Sequence, residues 1–153
     1  MYTIVLFFSP LFIFIGLSLW SNFYAPYVGL HDGKLRQCSS KPNCVCSESE
    51  ESEKHFIAPL IVSNSSASVQ KLAAEVILQM GGNIELESAT FLHATFQTPI
   101  FRFKDDFELR FSGEAVQVRS ASRVGYSDLG TNRKRALEFQ NKLKERLAFQ
   151  RER

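Results

Sequence analysis

The first 31 residues contain no aspartate, glutamate, lysine or arginine, an absence that sets them apart from an ordinary soluble domain. All 34 charged residues, 18 Lys+Arg and 16 Asp+Glu, fall in the 122 positions from Asp32 onward. The net charge is only +2, and no zinc finger, basic zipper or aromatic RNA-binding signature accompanies it, so a nucleic-acid partner is not expected. There is no G-x-S-x-G elbow around Ser122 or Ser127, no H-E-x-x-H and no glycine-rich P-loop. Cysteine is scarce. Cys38, Cys44 and Cys46 are spaced C-x5-C-x-C, which does not match paired zinc knuckles even with His31 or His55 added, so neither a metal nor a cofactor is expected. No internal repeat or low-complexity tract is visible, and 153 residues make one modest domain rather than a multidomain enzyme.

What is present begins with an apolar run, TIVLFFSPLFIFIGLSLW, from Thr3 to Trp20. Its 18 residues would cross roughly 27 Å of hydrocarbon as a helix. Trp20, Tyr24 and Tyr27 lie where interfacial aromatics are expected. No basic residue precedes the run and no small-x-small pattern follows Trp20, which favours an uncleaved membrane anchor over a signal peptide. Lys34, Arg36 and Lys41 follow the span and favour a cytoplasmic domain by the positive-inside rule. Cys38 and Cys44, close together in a proline-containing segment, favour the opposite side, because a disulfide between them requires an oxidising compartment. Cys46 is then the odd thiol. The expected location is a single-pass membrane protein with its domain periplasmic or lumenal.

The chain divides into an anchor (residues 1–24), a tether with a polar cysteine-containing loop (25–54) and an α+β domain (55–153). His55 to Val62 reads as a first strand with an edge or bulge at Pro59. Ser65 or Ser66 is placed to cap a helix carrying Val69, Leu72, Ala73, Val76 and Ile77 at helical spacing, and Gly81-Gly82 ends it. Two strands follow, Ile84 to Ser88 and Phe91 to Phe96, with His93 on the side away from Leu92, Ala94 and Phe96. Phe101, Phe103, Phe107, Leu109 and Phe111 share one parity, against Arg102, Lys104, Asp106, Glu108 and Arg110. That parity predicts one long strand. It also puts Asp105 among the phenylalanines, where a carboxylate must be capped, meet an arginine or sit at a bulge; otherwise Lys104-Asp105-Asp106 is a turn. Val116 to Ser120 is the next strand, after a turn at Ser112-Gly113-Glu114. The polar parity is expected to be a solvated face of cross-strand charge pairs, Arg119 with Glu108 among them. Asn132 to Arg153 closes the chain as a helix with Ala136, Phe139, Leu143 and Leu147 on one stripe and Glu138 four residues before Lys142. The predicted fold is therefore a transmembrane helix followed by a two-layer α+β domain. Its antiparallel sheet has about five strands and two helices on one face, in the order β-α-β-β-β-β-α.

Between the last strand and the last helix lie four arginines within 17 residues, Arg119 to Arg135, with two glycines, several hydroxyls and an amide. The unpaired N–H groups at the helix start point into the same region. Arg119, Ser120, Ser122, Arg123, Ser127, Asn132 and Arg133 are the candidate ligands of an anionic group, a phosphate, carboxylate or lipid head group. The competing reading is a network satisfied internally, in which Asp128 caps the helix or pairs with Arg123 or Arg133, and Tyr126 is core. A catalytic alternative, a hydrolase or transferase, would use Asp105, Asp106 and Asp128. It needs a bend, because neighbours on a regular strand face opposite ways. A third reading is a scaffold subunit that contacts a membrane-protein partner or lipid through the charged sheet or the basic last helix.

Three blocks carry a family resemblance: Cys38-Ser39-Ser40-Lys41-Pro42-Asn43-Cys44-Val45, then Phe101-Arg102-Phe103-Lys104-Asp105-Asp106-Phe107-Glu108, and the run from Arg119 through Ser122-Arg123-Val124-Gly125-Tyr126-Ser127-Asp128 to Arg133. They resemble the signature blocks of the domain of unknown function 1499 family, over about residues 35 to 147. The resemblance implies a bacterial or plastid-type protein, often with an N-terminal hydrophobic segment, and implies no activity. The Asp105-Asp106 pair and the Ser122-to-Arg133 block match intact. Similar sequences have serine where this one has Cys46, which fits an unpaired thiol there.

Overall fold

The computed structural model describes residues 10–23, 28–49, 52–63 and 67–151. The sheet is built on two long antiparallel strands, β7 (Lys104–Ser112) and β8 (Ala115–Ser122), in register from Asp105 opposite Ser122 to Ser112 opposite Ala115. Before them in the chain come α1 (Pro10–Phe23), a small hairpin of β1 (Leu30–His31) and β2 (Lys34–Leu35), β3 (Cys44–Cys46), β4 (Leu60–Ile61), α2 (Ala67–Gln79), β5 (Asn83–Glu87) and β6 (Phe91–Gln97). The helix α3 (Thr131–Arg151) follows β8. The main sheet is six-stranded, in the order β3-β8-β7-β6-β5, with β4 sharing the outer edge of β8 with β3.

The expected α+β architecture stands, with three corrections. The sheet has a sixth strand, β3, drawn from the segment read as a tether; Cys44, Val45 and Cys46 pair with Ala121, Ser120 and Arg119. The strand expected over His55 to Val62 shrinks to Leu60–Ile61 plus a single bridge between Phe56 and Cys46. The strand expected from Phe101 starts at Lys104, so Lys104-Asp105-Asp106 is strand rather than turn.

The α2 and α3 stripes pack on one face of the sheet as their spacing requires. Val76 and Ile77 of α2 and Ala136, Phe139 and Leu143 of α3 meet Phe107, Leu109 and Val118 in one core. Gly82, just after α2, shows how closely helix and sheet approach. A Cβ there would come within 2.6 Å of the Ile77 Cγ2 and 2.8 Å of the Phe96 ring. Asn64, Ser65 and Ser66, including the expected α2 cap, lie outside the described residues, as do Tyr24 and Tyr27.

The opposite face is not solvated. Asp106, Glu108, Arg119 and His93 are all buried, because the N-terminal segment lies over them. Gly29 N–H donates to Glu108 Oε1 at 2.7 Å, Leu35 N–H to Glu48 Oε2 at 2.7 Å, and Leu35 packs with Cys46 and Phe91 in a second apolar cluster. α1 covers 14 residues, about 21 Å at helical rise. Among the described residues no helix is long and apolar enough to cross a membrane, and Thr3 to Ser9 of the expected span lie outside them.

Candidate functional site

Positions on β7 and β8 alternate between the two faces, which splits the sequence-derived candidates into two groups. On the helix side, Asp105 meets Arg135 of α3, with Nη2 donating to Oδ2 at 2.9 Å. Arg135 also lies 4.7 Å over the Phe96 ring and donates to Asn132 Oδ1. Asn132, fully buried, accepts from the Ser120 hydroxyl at 2.6 Å and donates through Nδ2 to Ser122 Oγ and to the Asn43 carbonyl. Asp128 takes the Asn132 N–H at 2.7 Å and the Gly130 N–H at 3.0 Å, and so satisfies amides at the start of α3. Arg133 donates to the carbonyls of Phe56 and Lys54. Ser120, Asn132, Arg133, Asp105 and Asp128 therefore join α3 to the sheet and to the cysteine loop, the internal-network arrangement. Ser127 is exposed, and Tyr126, 71% exposed, is not core. Because Asp128 satisfies amides of the first helical turn, Asp128→Ala is expected to lower stability by about 1 kcal/mol in a denaturant titration.

On the other face, Arg123 grips Asp106 with Nε at 2.9 Å from Oδ2 and Nη2 at 2.7 Å from Oδ1; Nη1 donates to the Ser21 carbonyl in the last turn of α1 at 2.9 Å. His93 reaches the same Asp106 at 2.8 Å, supplying the partner that the sequence left unnamed. Arg119 Nη1 donates to Glu108 Oε2, the expected cross-strand pair. Burial presses the Asp106 carboxyl upward, but the His93 and Arg123 hydrogen bonds outweigh it and hold the group below the ordinary carboxylate range. Burial raises Glu108 and Asp105 above that range, with Arg119 and Arg135 respectively pulling back part of the shift. The three candidate catalytic carboxylates are thus not brought together. Asp105 faces α3, Asp106 faces the opposite way, and Asp128 serves the helix start.

Three of the seven candidate anion ligands do converge. Arg119, Ser122 and Arg123 line a cavity of about 300 Å³ between the end of β8 and the loop closed by the Cys38–Cys44 disulfide. The loop contributes Lys41 and Asn43, Gln37 just before it adds a further side, and Asp106 also lines the space. Asp106 is the single carboxylate against three cations, and it is already held by Arg123 and His93. Arg119 is different. It is 5% exposed, and its Nε–H has no hydrogen-bond partner among the described residues. A buried guanidinium N–H left unpaired carries a desolvation cost. A larger hollow of about 650 Å³ along α3 is bounded by side chains of that helix and Gly130 alone.

Sequence reasoning missed Gln37, Lys41 and Asn43 as wall residues because their segment was read as tether. The signal that could have found them is Cys38-Ser39-Ser40-Lys41-Pro42-Asn43-Cys44, one of the three blocks carrying the family resemblance. Cys46 is buried and unpaired, and burial pushes its thiol up, which keeps it protonated. Among the described residues no group of three His, Cys, Asp or Glu side chains is placed to hold a metal ion.

No curated protein matches the chain. Residues 34–143, which span every wall of the cavity and leave α1 outside, match the profile of the family described as "Protein of unknown function (DUF1499)", and the chain belongs to that family.

Proposed function

We propose that this protein is a membrane-anchored binding module that holds an anionic group, a phosphate, carboxylate or lipid head group, in the cavity between the disulfide loop and the end of β8. The observation that carries the reading is that Arg119, whose buried Nε–H has no partner among the described residues, lines a space where cations outnumber carboxylates. A guanidinium edge is well matched to a tetrahedral or planar oxyanion. Lys41, exposed on the loop, adds a charge without a fixed partner geometry, whereas the Ser122 hydroxyl is engaged by Asn132 and contributes only to the wall. Arg123 has most of its donors committed to Asp106 and Ser21, so it sets the field and the wall rather than the main contact.

The anchor reading rests on α1. From Ile13 to Trp20 every position except Ser18 is exposed, and these include Ile13, Phe14, Ile15, Leu17, Leu19 and Trp20. A helix that exposes an apolar stretch in this way, interrupted only by Ser18, has hydrocarbon as its natural solvent, and the uncharged residues before it extend the same character. The Cys38–Cys44 disulfide supports an oxidising compartment for the domain, periplasmic or lumenal.

The test is thermal unfolding of the full chain in detergent with inorganic phosphate, sulfate, dicarboxylates or short-chain phospholipids. Ligand at about 100 times its Kd adds roughly 2.7 kcal/mol, a rise of several degrees. Arg119→Lys keeps a cation beside Glu108 but removes the free N–H, and Lys41→Ala alters only an exposed side chain. Both are expected to cut the shift. No shift with any of these compounds, or an undiminished shift in both variants, would overturn the assignment.

A further inference from the structure

We infer that the turn between β6 and β7 enters the same lipid bilayer as α1, as a second membrane contact; the inference rests on the anchor reading above. The turn presents Ile100, 83% exposed, and Phe101, 42% exposed, at its tip. The tip is preorganised rather than loose. Thr98 closes it from both directions, its N–H donating to the Phe103 carbonyl at 2.9 Å and its hydroxyl accepting the Phe103 N–H at 2.9 Å. Ile100 held outward and Phe101 partly exposed beside it form a patch that water does not favour.

The position of the turn against α1 says what covers it. Phe101 stacks on Phe14 of α1 with ring centroids 4.6 Å apart and planes at 22°, and Phe103 stacks behind it at 5.7 Å. Ser21, seven residues further along α1 and so about 10 Å away along the axis, meets a different set of neighbours. Its hydroxyl accepts the Lys104 N–H and its carbonyl accepts the Arg123 guanidinium. α1 is therefore stacked against apolar side chains near Phe14 and tied to the sheet by hydrogen bonds near Ser21, so its N-terminal part runs beside the turn. The apolar patch on the turn is continuous with a helix whose sequence upstream, Thr3 to Ser9, carries no charge. A lipid bilayer fits a patch that continues the exposed apolar surface of α1 and the uncharged sequence before it.

Trp20 is the only tryptophan, which makes the experiment separable. The full chain is reconstituted into phosphatidylcholine and phosphatidylglycerol vesicles with or without lipids brominated on the acyl chains, and tryptophan emission is compared. The native chain reports α1 through Trp20. A Trp20→Phe, Ile100→Trp chain reports the turn, at an exposed position where the exchange does not disturb the core. The expected result is that brominated lipid reduces both emissions by at least twofold. Quenching of Trp20 with no quenching at position 100 overturns the second contact and leaves the anchor standing. Absence of quenching at both positions overturns the anchor and the turn together. A blue-shifted but unquenched signal at position 100 assigns the tip to a protein surface, a second copy included, and also overturns the inference.

Discussion

Arg119→Met is expected to lower the unfolding free energy by about 3–5 kcal/mol, the range for stranding one partner of a buried ion pair. Glu108 is fully buried and the Arg119 side chain is 6% exposed, so neither charge can turn to water when the other is removed. Glu108 also accepts the Gly29 N–H, and an unpaired carboxylate there loosens the N-terminal cover of the sheet as well. The contrast within the same molecule is Glu138 with Lys142, a half-exposed helical pair at 3.8 Å whose removal is expected to cost at most about 0.5 kcal/mol. Measured by denaturant titration, the first substitution moves the midpoint far to lower denaturant and the second barely moves it. Adding Glu108→Gln to Arg119→Met removes the stranded charge while keeping an acceptor for Gly29, and is expected to recover most of the loss. A double variant as unstable as the single one would mean that packing, not charge, was lost.

Arg135→Leu is expected to cost a similar amount, about 3–5 kcal/mol near neutral pH, by leaving Asp105 ionised beneath α3 without its guanidinium. Its pH dependence distinguishes it from a packing defect. The Asp105 carboxyl is already raised by burial in the native chain, so the folded protein holds that proton more tightly than the unfolded one. A raised group stabilises the fold below its unfolded pKa, and that contribution is lost as pH rises through the folded value. Without Arg135 the folded value rises further. The gap between variant and native chain is therefore expected to be small near pH 4 and to widen towards pH 7. Asp106, held low by His93 and Arg123, acts in the opposite sense, and its contribution is lost only as the pH falls below the ordinary carboxylate range. A gap independent of pH would contradict the role given to Asp105.

The elements most legible in the sequence were those whose period is set by one buried face. The alternation from Phe107 to Phe111 and the stripe of Ala136, Phe139 and Leu143 placed β7 and α3 correctly, and the anomaly of Asp105 correctly demanded a donor. That the donor is Arg135, 30 residues on, depends on how α3 crosses the sheet, which no local pattern encodes. The polar parity misled because antiparallel sheets usually leave that face to water. Here an irregular segment around Gly29 and Leu35 covers it, and irregular cover has no period to read. β3 went unseen for a related reason: three residues, Cys44 to Cys46, become a strand only by pairing with β8. His55 to Val62 was over-read, since its apolar content serves the core mostly without a partner strand. For the site, the chemistry of the Arg119-to-Arg133 block was visible but its division was not. Strand parity sends Ser120 to one face and Arg119 to the other, with Asn132 of α3 meeting Ser120, so half of an apparently single cluster became structural.

The most direct measurement is a correlation spectrum of the arginine Nε–Hε groups of the full chain in detergent during titration with inorganic phosphate, with Arg119→Lys identifying the signal. The expected result is that the Arg119 resonance moves and saturates, while that of Arg133, tied through its Nη groups to the Lys54 and Phe56 carbonyls, stays in place. An Arg119 resonance that does not move, or that drifts with the other arginines without saturating, would contradict an anion site in this cavity.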